Sequence, residues 1–249
     1  MVYLYDGQFD GFLTCIYHHY YEEKVEGIYE ERIYEPKLLE TTRYIKTDPN
    51  QSTKVHQAML DQFSEYMYFN IYHTFLSNVY DKDTMLLNCL EIAFKHGLAT
   101  DRMRSVDAIY QVLKIGRQVG FEKHRFMGLL RFSDLGHYLY ARFEPDHNII
   151  SLLGEHFSDR FKEEKFIIHD VKRALAIVGQ KGQWLMTDFN HIIEDGLIEE
   201  EIFFRKLWQT YFDKIAIEDR INLKLQQKFV PKKYRKHLLE FGTNINSSR

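Results

Sequence analysis

From Ser52 to Val119 the apolar residues recur with the period of a helix, and from Leu129 to Met186 they alternate with the period of a strand. Helical and extended patterns held in separate runs predict an α+β fold. In the first run Val55, Met59, Phe63, Met67, Ile71 and Phe75 continue one stripe, which predicts a long helix capped by Ser52. Asp83 is placed to cap a second helix, with Leu86, Leu87, Leu90 and Ala93 on one face and Gly97 as its stop. A third helix starts near Ser105 and uses Ile109, Val112, Leu113 and Val119, with Gly116 and Gly120 permitting close packing.

In the second run, Leu129–Phe132 and Tyr138–Glu144 alternate around Ser133–Gly136, the pattern of a β-hairpin. Arg131, Arg142, Tyr138 and Tyr140 would then share a face. Pro145-Asp146 opens a helix that runs to Phe161, followed by strands at Phe166–Asp170, at Arg173–Val178 and around Trp184–Met186. At the N-terminus a strand, Tyr3–Tyr5, feeds a helix that carries Phe9, Phe12, Leu13, Ile16 and Tyr20, while residues 22–50 keep no period and read as mixed loop and short helix. The expectation is a mostly antiparallel sheet built from the N-terminal strand, the central hairpin and the C-terminal strands, with helices packed on it. One domain spans 1–249, with 52–120 as a helical insert or lobe and 205–240 as a basic helical C-terminal segment.

Apolar residues at 45% and only 4 Pro and 13 Gly exclude a disordered or fibrous chain. The 19 Phe, 17 Tyr and 2 Trp mean either a ring-rich core or a stacking surface. Net charge is −3, which does not of itself point to nucleic acid, but it is unevenly spread. Residues 1–40 hold nine acidic side chains against three basic ones, whereas residues 205–237 hold ten basic against three acidic. Such opposed segments either make an anion-binding face or pair with each other. Cys15 and Cys89 stand alone, which excludes a disulfide framework and a zinc module, and no stretch approaches the ~20 apolar residues of a membrane helix. These features suit a soluble protein of the cytoplasm.

The chain has no phosphate-binding G-x-x-x-x-G-K-[ST], no dinucleotide G-x-G-x-x-G, no G-x-S-x-G and no H-E-x-x-H. His18 and His19 are adjacent on a helix and cannot face one ion together, and Asp81-x-Asp83 lacks the rest of a calcium loop. No metal or cofactor is expected. What remains is three clusters that mix cations with histidine, acid or tyrosine: His124, Arg125 and Arg131; His169, Asp170, Lys172 and Arg173; and Arg220, Asn222, Lys232, Lys233 and Tyr234. Lysine and arginine neutralise phosphates, and tyrosine or asparagine adds hydrogen bonds, so converging clusters would suit a phosphodiester. Taken singly, each is equally a set of structural ion pairs or a solvated face.

The blocks YLYDGQFDGFLTCIY, HRFMGLLRF, YLYARFEPDHNIISLLGEHFSDRF, FIIHDVKRALAI and LWQTYFDKIAIEDRINLKLQQKFVPKKYRKHLLE occur in order along nearly the whole chain. In them the chain resembles a bacterial family of radical-SAM-associated DNA metabolism or DNA repair proteins, built around a domain of unknown function. The resemblance implies DNA as substrate and a radical-SAM protein as partner, and a similar domain occurs joined to a uracil-DNA-glycosylase-like domain. This chain has no C-x-x-x-C-x-x-C cluster motif and is not itself the radical enzyme.

Three functions stay open at this point. The first is a DNA-binding accessory protein whose basic clusters grip phosphates while a partner does the chemistry. The second is a hydrolase acting on DNA, a nuclease or base-removing enzyme, with His169 or His124 moving the proton, Asp170 orienting it and Lys172 or Arg173 stabilising charge. It needs two neighbours on a strand, His169 and Asp170, to reach one pocket although their side chains leave on opposite faces. The third is a non-catalytic scaffold that binds other proteins.

Overall fold

The computed structural model describes residues 1–190, 199–215 and 223–241. The chain is α+β and divides into two compact units, Met1–Gly120 and Phe121–Arg249.

In the first unit, β1 (Val2–Tyr5) is the middle strand of a parallel sheet of order β2-β1-β3, with β2 at Gly27–Glu30 and β3 at Thr42–Tyr44. Tyr3 lies opposite Ile28 on one side and Arg43 on the other. The N-terminal strand therefore belongs to its own sheet and not to that of the hairpin. Strands of four and three residues are too short to show a period, so the stretch 22–50, read as loop and short helix, hides both. Parallel strands need a crossover, and α1 (Phe9–Tyr21) supplies it between β1 and β2. Tyr3, Tyr5, Phe12, Leu13, Ile16 and Ile28 are fully buried where strand and helix meet.

The expected long helix is two: α2 (Pro49–Gln62) and α3 (Glu65–Phe75). Phe63 turns to extended backbone, and Ser64 Oγ accepts the Met67 N–H at 3.0 Å, which starts a new helix within an unbroken apolar stripe. The cap of α2 is Asp48, which accepts from Asn50 and Gln51 ahead of Pro49, and Ser52 sits inside the first turn with its hydroxyl on the Pro49 carbonyl. In α4 (Lys82–His96) Asp83 is not the cap either: it is buried in the first turn and accepts the Tyr5 hydroxyl at 3.0 Å. Gly97 ends α4 at φ +55°, as its position predicts. A Cβ on Gly116 would come within 2.7 Å of Asn70, so this glycine permits the close approach of α3 and α5 (Asp107–Leu129).

The second unit holds a mixed five-stranded sheet of order β4-β5-β6-β7-β8. Helix α5 runs on to Leu129, and the Leu130 N–H still bonds to the Phe126 carbonyl at 3.1 Å, which removes Leu129–Phe132 from the sheet. The hairpin is displaced onto residues expected in its turn: β4 is only Ser133–Asp134, antiparallel to β5 (Leu139–Phe143). Then β5 pairs parallel with β6 (Phe166–Asp170), and β6, β7 (Leu175–Gln180) and β8 (Gln183–Asp188) form an antiparallel meander. The crossover between β5 and β6 is a 3₁₀ turn, Ile150–Leu153, and α6 (Gly154–Arg160). It starts later than Pro145-Asp146 because the Asp146 and His147 N–H groups point to the Glu122 carboxylate instead. Phe143, Leu153, Phe157, Phe166, Ile168 and Ile177 fill the core beneath this crossover. The basic C-terminal segment contains α7 (Glu199–Ile215), α8 (Leu223–Phe229) and, after Pro231, a 3₁₀ run Lys232–His237. Among the described residues no helix is long and apolar enough to cross a membrane.

Candidate functional site

The loop Glu144–Asn148, which follows β5, gathers parts of the second and third cationic clusters. Glu122 on α5, 2% exposed, accepts the Asp146 N–H at 2.9 Å and the Tyr234 hydroxyl at 2.6 Å on one oxygen, and the His147 N–H at 2.8 Å on the other. From the second cluster, Arg173 donates to the Pro145 carbonyl at 3.3 Å and the Asp146 carbonyl at 2.6 Å. From the third, Lys233 pairs with Asp146, and just beyond that cluster Lys236 and His237 bond to Glu144 at 2.5 and 3.1 Å. Helix, turn and C-terminal segment are thus tied to one loop through its backbone and its two acids.

Convergence also neutralises much of the charge. Arg173 makes an ion pair at 2.9 Å with the fully buried Asp170, whose other oxygen accepts the Lys172 and Arg173 N–H groups and so shapes the β6–β7 turn. Arg131 lies outside the sheet and spends two N–H groups on Glu240 at 3.0 and 2.7 Å. Burial works to raise Asp146, but the bond from Lys233 and the charges of Lys233, His147 and Lys172 outweigh it and hold the carboxyl low. The bond from Lys236 does the same for Glu144. These are structural ion pairs. By contrast Arg125, Lys172 and Lys232 are exposed and have no salt bridge among the described residues. Arg125 still acts on the Tyr234 phenol, and Lys172 on Asp146. Arg142, missed as a site residue, is likewise exposed and shares a shallow hollow with Lys233 and Tyr234. Arg220 and Asn222 lie outside the described residues.

The catalytic candidates do not meet. His169 and Asp170 leave β6 on opposite faces. His169 bonds through Nδ1 to the Tyr140 hydroxyl at 2.8 Å and rests against the Phe189 ring, while Asp170 is closed off by Arg173. Burial lowers the His169 pKa, aided by the Arg142 charge and opposed by a backbone bond to Phe189, and burial raises that of Asp170 against the pull of Arg173. His124 is exposed on α5. Burial also pushes the Cys15 thiol up, and that of Cys89 up to about 12, so neither is an activated nucleophile. Among the described residues no three His, Cys, Asp or Glu side chains are grouped to hold a metal ion.

Glu122, Glu144, Asp146 and Glu240 were not singled out in the sequence, because acids inside a helix or loop give no sign of which distant cation they meet. The block FEPDHN was the available signal, since a run of acids after a strand has to be answered by donors. The arrangement defines an α+β protein whose second unit ties a surface loop to a basic C-terminal segment, with cations around it that have no salt bridge among the described residues, and with His169 and Asp170 on opposite faces of β6. A family model described as a domain of unknown function, DUF4130, matches residues 80–240, well over half of the chain. The chain belongs to that family. No curated protein and no solved structure matches it.

Proposed function

We propose that the protein is a DNA-binding accessory protein that grips phosphates with the exposed cations around the Glu144–Asn148 loop and leaves chemistry to a radical-SAM partner. The observation that supports this is the grouping of Arg125, Arg142 and Lys172, cations from separate stretches of chain without salt bridges among the described residues, on a scaffold of paired ones, with the exposed Lys232 next in the chain to Lys233. Arg131, Arg173 and Lys233 act here as struts, which differs from a role in direct contact. DNA and the radical-SAM partner come from the family resemblance of the quoted blocks. The opposed directions of His169 and Asp170 weigh against the hydrolase.

The test is binding of labelled single-stranded and duplex oligonucleotides by fluorescence anisotropy across a salt series. If four phosphates are neutralised, the log–log slope is about 3.6 on duplex and about 2.8 on single strands. Charge reversal at Arg125, Lys172 and Lys232 together, all exposed, is expected to abolish most of the affinity without unfolding the chain. A slope near zero, or a triple variant that binds as the wild type does, overturns the proposal.

A further inference from the structure

A second feature of the same unit stands apart from the loop. Phe132, Phe161, Phe204 and Trp208 line an open cleft of about 950 Å³ together with Arg131 and Arg160. Its volume lies at the upper end of the range for small-molecule sites. Phe132 meets Phe161 edge-on at 4.7 Å, so that one ring braces the other, while Phe204 and Trp208 on α7 are 60% and 40% exposed. Aromatic surface of this extent left open is unusual unless something covers it.

The charge of the cleft indicates what does. Arg131 is answered by Glu240 and Arg205 by Glu201. Arg160 is exposed, lies 5.6 Å over the Phe161 ring, and has no ion pair among the described residues. An apolar partner would bury that guanidinium uncompensated, which is costly. A planar ring system carrying an anionic group satisfies both the aromatic wall and the cation. The cleft also shares Leu130 and Arg131 with the hollow lined by Arg142, Lys233 and Tyr234, so the two adjoin.

We propose that this cleft takes one unstacked nucleotide, with the base against Phe132, Phe161 and Trp208 and the phosphate at Arg160. The proposal rests on the DNA-binding reading and deepens it, because it makes an unpaired nucleotide the preferred ligand over an intact duplex. Stacking of a base on aromatic side chains is tolerant of sequence.

The experiment uses the full chain. Trp184 and Trp208 are its two tryptophans, so Trp184→Phe leaves Trp208 as the one indole reporter. Deoxyadenosine monophosphate and a single-stranded oligonucleotide are each expected to quench it. Phe161→Ala and the exposed change Arg160→Glu are expected to weaken single-strand binding, measured by anisotropy, on the order of tenfold, with duplex affinity little changed. Should Phe161→Ala or Trp184→Phe fail to fold, Arg160→Glu in the wild-type background decides by anisotropy alone. Oligonucleotide binding without Trp208 quenching, and indifferent to both cleft substitutions, overturns this inference and leaves the DNA-binding reading intact. Quenching by the mononucleotide with no oligonucleotide binding sustains the cleft and overturns that reading. No response to either ligand removes both.

Discussion

Tyr234 donates its phenol hydrogen to Glu122 at 2.6 Å across 112 positions of sequence, and both side chains are buried. This bond closes the C-terminal segment onto α5. The same carboxylate also receives the two N–H groups that hold the Asp146–His147 turn. Burial, reinforced by the bond to Glu122, pushes the phenol far above its ordinary range, so it stays a donor at any physiological pH.

Tyr234→Phe removes one of three donors from a buried carboxylate and is expected to destabilise the second unit by about 1–3 kcal/mol. Glu122→Ala strands two backbone N–H groups and the phenol at once and should cost more. Urea denaturation followed by circular dichroism ranks the two variants. A smaller loss for Glu122→Ala than for Tyr234→Phe would show that the carboxylate does not organise the turn.

Asp83 gives the first unit a pH dependence of unusual sign. Burial raises its carboxyl to about 6 from an ordinary 3.8, against the Lys82 charge and the Tyr5 hydroxyl, and Glu30 adds to the rise. A group whose folded pKa is raised contributes stability that is full below its unfolded pKa and is lost as pH rises through its folded pKa. The window is therefore pH 4 to 6, and at pH 7 the ionised, buried carboxylate costs on the order of 3 kcal/mol. Asp83→Asn keeps an acceptor for Tyr5 and should be more stable than the wild type at pH 7, with the difference shrinking towards pH 4. Thermal unfolding at the two pH values measures it, and an equal difference at both would refute a raised pKa.

What could be read in the sequence follows the range of the interactions involved. The strand Phe166–Asp170, the stop at Gly97 and helix α1 were legible because periodicity and a positive-φ glycine are local signals. The break at Phe63–Ser64 was not, since the spacing of Met59, Phe63 and Met67 carries straight across it. β2 and β3 were invisible because parallel pairing is decided by β1, more than twenty positions away. In the candidate site the cations stood out while their partners did not: Arg131 meets Glu240 across 109 positions. Counting charges gives the basic character of a segment, whereas neutralisation is a property of the folded chain.

Two glycines of the second unit stand where large rings pass. A Cβ on Gly179 of β7 would lie 2.2 Å from the Phe166 ring across the β6–β7 pair, and one on Gly154 would lie 2.5 Å from Trp184. The Phe166 ring is 1% exposed and has no room to recede, whereas Trp184 is 38% exposed on β8 and can turn towards solvent. Gly179→Ala is expected to destabilise by about 1–3 kcal/mol, the usual cost of overpacking. Gly154→Ala should displace Trp184 and shift its emission to the red, which fluorescence in the Trp208→Phe background isolates. Unchanged emission would mean that the ring slides aside at little cost.

The Asp170–Arg173 pair separates a strut from a contact. Arg173 holds the buried carboxylate and also clamps two carbonyls of the Pro145–Asp146 turn, so Arg173→Ala leaves Asp170 buried without its cation and is expected to cost about 3–5 kcal/mol. Asp170→Asn relieves the charge, so adding Arg173→Ala to it should cost less than in the wild type, with a coupling energy of about 1–3 kcal/mol in the double-mutant cycle. A contact residue would show the opposite profile, with additive stabilities and a loss confined to oligonucleotide affinity. Lys172, next in the chain and exposed, provides that comparison: Lys172→Ala should leave stability unchanged and lower the salt slope of binding by about 0.9 on duplex DNA. Additivity in the Asp170–Arg173 cycle would return Arg173 to the binding surface and remove the distinction between paired and unpaired cations on which the phosphate-gripping surface depends.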